Sequence, residues 1–392
     1  MTSRTELQSR VAEVLPEMTE LRHALHRIPE LHWQERKTAE LIRGRLKGTS
    51  LEVLPPLLET DTVALLRGGK PGRCVLLRCD IDALPVAEKT GKPWTSTHGG
   101  RAHSCGHDGH MAMLLGAAKV LEGMARELHG SVRFVFQPAE EEECGGKALV
   151  EKGLLELAPR AEVAFALHGW PGIPRGCLTS AAGAMWAAAD RFTLTVRGRG
   201  GHAALPHRAA DPVAAAAQVV VSLQTIVSRS VDPLEPAVVS VCRIEGGHSS
   251  NVIPDHVVME GTTRYFNRSL GPFLRERIDG IAAGICSAAG CTHELAYREG
   301  YIPLVNDPSA VDMARATVSA YLGPEAWVRD HPRWMGAEDF AFYLDKVPGA
   351  LLRLGLGEDW PPLHAPGFDF NDQSLEPGIT ALAGLAIDVC SG

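Results

Sequence analysis

Short apolar runs alternate with amphipathic stretches over the first half of the chain. Residues 74–82 (CVLLRCDID), 131–141 (SVRFVFQPAEE) and 161–169 (AEVAFALHG) have the nearly continuous apolar character of buried strands. Helical patterns at 109–130 and 145–157 separate them. This alternation predicts a mostly parallel sheet with helices on its faces, and therefore an α/β domain.

The pattern changes after about Trp186. Strands and helices then follow in a β-α-β-β-α-β order at 190–198, 211–229, 236–247, 256–266, 271–290 and 291–301. This order is typical of a ferredoxin-like α+β domain. The predicted organisation is one α/β domain built from residues 1–185 and 303–392, with the α+β domain inserted at 186–302.

Composition and charge narrow the class of protein. The 392 residues exceed the usual size of a single core, which favours two domains, and the net charge of -8 has no basic stripe of the kind that binds nucleic acid. We see no secretory signal and no apolar run of membrane-spanning length. The nine cysteines are irregularly spaced, so we expect most of them to be reduced core residues. These features predict a cytoplasmic protein whose partners are small molecules, without nucleic acid or membrane.

Polar side chains stand at the ends of the predicted strands, where ligands bind in open α/β sheets. They are Asp80, Asp82, Glu140, Glu141 and His168. His364 follows the last predicted strand, 349–357, after a short loop, and Cys105 and His107 precede the helix that follows the first strand. So many anionic groups at one edge require positive charge, which two divalent metal ions would supply. If the segment Cys105-Gly106-His107 is extended, the side chains of Cys105 and His107 point the same way, and one thiolate could bridge both ions.

Simpler explanations exist for each residue taken alone. A single Cys or His at a strand end more often packs than binds metal. Asp108 could be the N-cap of the helix, and His110 is expected to orient backbone or cap the site rather than bind metal. The acidic run at 140–143 would usually be a solvated face, but it directly follows a buried strand.

Several motifs resemble one family over nearly the whole chain. They are LRCDIDALP, HSCGHDGHMAMLLGAA, QPAEE, HGWP, GRGGHAALPHRAADPVAAA, NVIPD, MGAEDFAFY and LHAPGFDFND. They are similar to the metal-dependent aminoacylase and carboxypeptidase family of zinc peptidases, in the branch of hippurate hydrolases, N-acyl-amino-acid amidohydrolases and auxin-conjugate amidohydrolases. The resemblance implies hydrolysis of N-acyl amino acids to a carboxylic acid and a free amino acid. A metallo-dipeptidase or carboxypeptidase on the same site is the alternative.

The resemblance also implies a role for each matching residue. Cys105 would bridge two divalent ions, with Glu141 and His364 on one ion and His107 and His168 on the other. Glu140 would be the general base, and Asp82 would orient a metal-bound histidine. The insert is implied to be a lid and dimerisation domain. In it, His202 would donate to the oxyanion in the active site of the partner subunit, and Asn251 and Arg264 would contact the substrate carboxylate. The metal would be zinc, manganese, cobalt or nickel, and the protein a homodimer.

Two rival functions are compatible with parts of the sequence. A thiol hydrolase with Cys105 as nucleophile and His107 as base would leave Glu140, Glu141, His168 and His364 without a role. A binding or sensory protein with a decayed site would be favoured if a ligand were missing.

The chain departs from the family pattern at Cys79, usually Ala, in the ECGG run after the glutamates, and at Gly169, where a branched residue is usual.

Overall fold

The computed structural model describes residues 2–329 and 332–391. The chain divides into two compact units. The first comprises Met1–Gly183, Val305–Pro332 and Asp339–Gly392, and the second comprises Ala184–Leu304 and Arg333–Glu338. A short segment late in the chain thus groups with the second unit.

The helices and strands follow in chain order. The first stretch holds α1 Arg4–His26, α2 Arg36–Leu46, β1 Glu52–Val53, β2 Thr62–Arg67, β3 Lys70–Asp80, α3 His107–Glu122, β4 His129–Gln137, α4 Gly145–Glu151, β5 Val163–Pro171 and β6 Leu178–Thr179. The middle stretch holds β7 Gly183–Trp186, β8 Ala188–Arg197, β9 Gly201–His202, α5 Pro212–Thr225, β10 Ala237–Glu245, β11 Val252–Ile253, β12 His256–Tyr265, α6 Leu270–Ala288 and β13 Thr292–Tyr301. The last stretch holds β14 Leu304–Asn306, α7 Pro308–Tyr321, α8 Ala341–Leu344, β15 Gly349–Gly357 and α9 Leu375–Ser391.

A seven-stranded sheet forms the centre of the first unit, in the order β1-β2-β4-β3-β5-β15-β6. The four strands β4, β3, β5 and β15 run parallel, and the outer strands are antiparallel. The predicted mostly parallel sheet is therefore confirmed, although its antiparallel strands β1, β2 and β6 were not predicted. Asp80 pairs with Gln137, and Arg353 pairs with His168, so the carboxyl ends of these strands lie at one edge.

Helices α1, α3 and α9 pack together, and α3 and α9 pack on the strands β3 and β4. Helix α3 starts at His107, directly after Gly106, whose φ of +87° favours glycine. It ends at Glu122, eight residues before the predicted end, and Gly123 follows. The start of α3 thus places His107 in its first turn, at the edge where the parallel strands end.

The second unit has a four-stranded antiparallel sheet in the order β10-β12-β8-β13. Helices α5 and α6 pack on it around a core that includes Leu194, Val219 and Leu274. This order is the ferredoxin-like one, so the predicted fold class is confirmed for the insert as well.

One helical segment of the second unit, Pro212–Ser230, is long and apolar enough to cross a membrane by length and composition alone. It is α5 continued by a π-helical turn. The expectation that no apolar run reaches membrane-spanning length was therefore too strict. One such helix is weak evidence for a membrane span, and Ala215, Val219 and Leu223 of this helix are buried in the core of the unit.

Candidate metal centre

The predicted metal ligands of the first unit come together at the carboxyl edge of its sheet. The ligand atoms of Cys105, His107 and His168 all lie within 4.8 Å of one another, and so do those of Cys105, Glu141 and His364. Cys105 is common to both sets. Together the two sets contain the five residues that the family resemblance implies as ligands.

Individual distances show how the two groups join. The Cys105 sulfur lies 3.5 Å from His168 Nε2. Glu141 Oε1 lies 3.4 Å from His364 Nε2 and 3.8 Å from His107 Nε2. Glu140 is buried. Its carboxylate oxygen, a carboxylate oxygen of Glu141 and a ring nitrogen of His107 lie within 4.8 Å of one another. Every sequence-predicted residue of the first unit therefore lies in one cluster.

The histidines are turned so that Nε2 faces the cluster. His107 Nδ1 lies 2.8 Å from the backbone oxygen of Asp82, and His168 Nδ1 lies 2.9 Å from that of Gly169. Each Nδ1 can donate its proton to these carbonyls, which leaves Nε2 as an electron-pair donor. Among the residues that the structure describes, the buried atoms His107 Nε2 and Glu141 Oε1 have no hydrogen-bond partner, which suits atoms that bind a cation.

Asp82 supports two of the predicted ligands. Its backbone carbonyl makes the short contact to His107, while its carboxylate oxygen Oδ1 lies farther from that ring, at 3.4 Å. The other oxygen, Oδ2, accepts the Glu141 backbone N–H at 3.0 Å. The contact to a histidine fits the predicted role of Asp82, and the contact to Glu141 was not predicted.

The cluster favours bound positive charge. Burial by itself would lower the pKa of His107, but Asp80 and Asp82 outweigh it and raise that pKa to about 10. Burial raises the pKa of the Cys105 thiol, and the charges of Glu141 and Glu140 raise it further. A nucleophilic cysteine needs a lowered pKa, as a metal-bound thiolate does, and the cluster without a cation gives the opposite shift.

His110 binds backbone, as expected, and its two ring nitrogens are both engaged. Gly169 N–H donates to Nε2 at 2.8 Å, and Nδ1 lies 2.6 Å from Asp80 Oδ1. Because Nε2 accepts, the proton is on Nδ1 and points to Asp80. His110 thereby holds the peptide that follows His168.

Asp108 is not the N-cap of α3, because Gly106 occupies that position. Instead, its carboxylate Oδ2 lies 2.8 Å from both Arg22 Nε and His26 Nδ1. The Arg22 guanidinium also pairs with Asp369 and, at 3.2 Å, with Asp372. Arg22 of α1 therefore joins the segment after His107 to the segment after His364.

Some buried supporting residues were assigned no role from the sequence. Arg78 donates to Asp80 Oδ2 at 2.9 Å and to Asp339 Oδ1 at 2.7 Å, and Glu35 accepts the Ala139 N–H at 2.9 Å. Charged residues inside the apolar strand at 74–82 were the available signal for Arg78 and Asp80. Glu35 and Arg22 gave no comparable signal, because their partners are distant in sequence.

The second unit holds the other predicted residues. His202 lies on β9, which pairs with β11, and the Ala203 N–H donates to the Asn251 carbonyl at 3.0 Å. The Ala204 N–H donates to His202 Nδ1 at 3.0 Å, so the neutral ring carries its proton on Nε2. Arg264 is half-buried on β12 of the four-stranded sheet, where burial and the charge of Arg191 lower its pKa.

A mostly parallel sheet with imidazoles, carboxylates and a thiol at its carboxyl edge is the arrangement of a metal-dependent hydrolase. The chain matches the model of peptidase family M20/M25/M40 over residues 76–388. It therefore belongs to this family, and the family resemblance seen in the sequence is confirmed.

Proteins with similar sequences and structures agree with this membership. The chain is 37% identical over 372 residues to an N-acetylcysteine deacetylase of Bacillus subtilis, covering 94% of this chain and 96% of the relative. It is 36% identical over 382 residues to an IAA-amino acid hydrolase of Arabidopsis thaliana, covering 96% and 85%. A solved structure from Bacillus subtilis, a dinuclear metal binding peptidase of the M20 family, matches with a TM-score of 0.84 and 33% identity, covering 97% and 99%.

Proposed function

We propose that this protein is a dinuclear metal-dependent amidohydrolase that cleaves N-acyl amino acids to a carboxylic acid and a free amino acid. The observation that carries the proposal is that Cys105 is common to two groups of potential ligands, with Glu140 beside them. The relatives that are a deacetylase of N-acetylcysteine and a hydrolase of IAA-amino acids support this substrate class.

The donor set fits two divalent cations. Cys105 would be shared, with Glu141 and His364 completing one site and His107 and His168 the other. Thiolate and imidazole ligands favour zinc, and manganese, cobalt and nickel also accept mixed nitrogen, oxygen and sulfur ligands. His107 Nε2 and Glu141 Oε1, which are buried and make no hydrogen bond to a described residue, support this assignment.

Divalent ions bound there would acidify a water molecule and polarise the substrate carbonyl. Glu140 accepts a proton as water attacks the amide carbon, and later gives it to the amine nitrogen as the C–N bond breaks. His202, with its proton on Nε2, donates to the developing oxyanion, an effect worth roughly 3 to 4 kcal/mol for one donor in other hydrolases. Asn251 and Arg264 bind the carboxylate of the amino acid.

A dipeptidase or carboxypeptidase using the same residues is the second candidate function. The structural neighbour that is a dinuclear metal binding peptidase favours it. The two functions differ in the acyl side of the substrate and share the proposed chemistry. A cytoplasmic location stays a prediction in either case.

We propose further that the protein is a homodimer joined through its second unit, which acts as a lid and dimerisation domain. On α5, Val221 is 71% exposed, and Ile244 on the edge strand β10 is 55% exposed. An apolar helix face beside an open sheet edge is a surface that a second copy can cover. In this dimer, His202 would serve the metal centre of the partner.

The test is a hydrolysis screen of the protein reconstituted separately with zinc, manganese, cobalt or nickel. N-acetyl, N-benzoyl and indoleacetyl amino acids are compared with simple dipeptides. We expect chelator-sensitive hydrolysis of the N-acyl amino acids that resists iodoacetamide. Faster cleavage of dipeptides would favour the second candidate, and hydrolysis of neither class would contradict both.

A further inference from the structure

The turn after β4, residues 138–141, carries Glu140 and Glu141 and has an unusual backbone. Ala139, directly before Glu140, has a φ of +55°. A residue with a Cβ in this left-handed region costs about 1 to 2 kcal/mol. Surrounding contacts must therefore hold the turn in this conformation.

Glu35 supplies such a contact from the start of α2. Its side chain is fully buried, and Oε1 accepts the backbone N–H of Ala139 at 2.9 Å and that of Trp33 at 3.0 Å. Trp33 also has a positive φ, of +60°. The other oxygen, Oε2, accepts the Thr60 hydroxyl at 3.1 Å. One carboxylate oxygen thus binds the N–H groups of two left-handed residues.

The turn is also held on the other side of Glu140. Asp82 Oδ2 accepts the Glu141 N–H at 3.0 Å. Buried carboxylates therefore bind the backbone N–H groups directly before and directly after Glu140. The Glu140 peptide between them is fixed at both ends.

We propose that Glu35 is a positioning residue, which holds the 138–141 turn so that Glu140 and Glu141 face Cys105 and His107. Glu35 touches backbone and hydroxyl groups and acts through them. The kinetic part of this inference depends on the proposed function. The metal-binding part does not, because Glu141 is carried by the same turn.

The experiment compares three variants in the full-length protein. In Glu35→Ala the turn loses its anchor, and we expect kcat to fall about 100-fold with little change in KM, as misplacement of a reacting group does. Glu35→Gln keeps an oxygen acceptor of the same reach, and we expect kcat within about threefold of wild type. Asp61→Ala is the matched control, because the buried Asp61 carboxylate accepts the Leu57 and Leu58 N–H groups in a loop. We expect it to lower the melting temperature without lowering kcat.

Metal titration by calorimetry is the second measurement. For Glu35→Ala we expect an affinity loss of about 10- to 100-fold for one ion, the one assigned to Glu141 and His364, with the other ion little affected. If Glu35→Ala is insoluble, Glu35→Asp replaces it, since it keeps the charge but shortens the side chain.

Equal kcat values in Glu35→Ala and Asp61→Ala, with unchanged binding of both ions, would overturn the inference. So would a Glu35→Gln variant as impaired as Glu35→Ala. If the wild type hydrolyses no amide but Glu35→Ala loses one ion selectively, the proposed function fails and the role of Glu35 stands.

Discussion

The Phe370 ring fills the space beside Gly169 that a side chain would need. A Cβ built on Gly169 would lie 3.0 Å from Phe370 Cε2 and 3.2 Å from Leu356 Cδ1. Phe370 is also the nearest neighbour of a Cβ on Gly109, in the first turn of α3. At Gly169, where the sequence resemblance led us to expect a branched residue, an aromatic ring thus packs against the chain.

Gly169→Val should overpack this contact. We expect a loss of about 1 to 3 kcal/mol in the free energy of unfolding and weaker metal binding, because the Gly169 peptide contacts His110 and His168. Chemical denaturation and metal titration measure the two effects. Gly99→Val is the control, since a Cβ there has no neighbour within 4 Å in the part of the chain that the structure describes. Adding Phe370→Leu should restore part of the loss, and no recovery would mean that the ring is not the obstacle.

Glu140→Gln should abolish turnover and leave metal content intact. The amide has nearly the same shape but cannot take a proton, and general bases contribute typically 10²- to 10⁴-fold to rate. Turnover is measured beside the number of ions per chain. A metal-loaded variant with more than half of the wild-type rate would rule out Glu140 as the base.

Cys105→Ser should lower the affinity for both ions together, because a bridging thiolate serves two sites. Elemental analysis after dialysis gives the ions per chain. Cys242→Ser is the matched control, because Cys242 is an exposed cysteine on β10. Selective loss of one ion would show that Cys105 binds only that ion.

Glu35 should make the stability of the metal-free protein depend on pH. Burial and the charge of Asp82 raise its pKa from 4.5 to about 7 in the folded state. The folded carboxyl keeps its proton where the unfolded one has lost it, so its stabilising contribution is complete below about pH 4.5 and disappears as the pH rises through 7. As the pH rises from 4.5 to 7, the free energy of unfolding of Glu35→Gln should therefore increase by on the order of 3 kcal/mol relative to that of the wild type. Urea unfolding at several pH values measures it, and a pH-independent difference would contradict the assigned shift.

Mixing two inactive variants tests whether His202 acts across a dimer. His202→Ala and Glu140→Ala chains together should form heterodimers in which one site has both residues intact. Random pairing would give about a quarter of the wild-type rate. Inactive purified heterodimers would mean that His202 serves its own chain, and a monomer by light scattering would exclude the dimer.

The parallel strands and the cluster at their ends could be predicted because both are local signals. Apolar runs such as residues 131–137 predict buried strands, and polar residues directly after them predict a site. The supporting contacts could not be predicted in this way. Glu35 lies 104 positions from Ala139, and Arg22 lies 86 positions from Asp108, so only the folded chain shows that they meet. Asp108 was misjudged for that reason: its position suggested a local cap, whereas its partners come from α1.

Through Arg22, the stability of the candidate metal centre depends on the N-terminal helix α1. Its buried guanidinium is bound to carboxylates that follow His107 and His364, so detaching α1 would leave buried charges without a counterion. Backbone amides of α1 and α3 should therefore exchange with deuterium as one cooperative unit. A truncation that removes the first 26 residues, although it spares every candidate ligand, should release the metals as surely as the loss of a ligand.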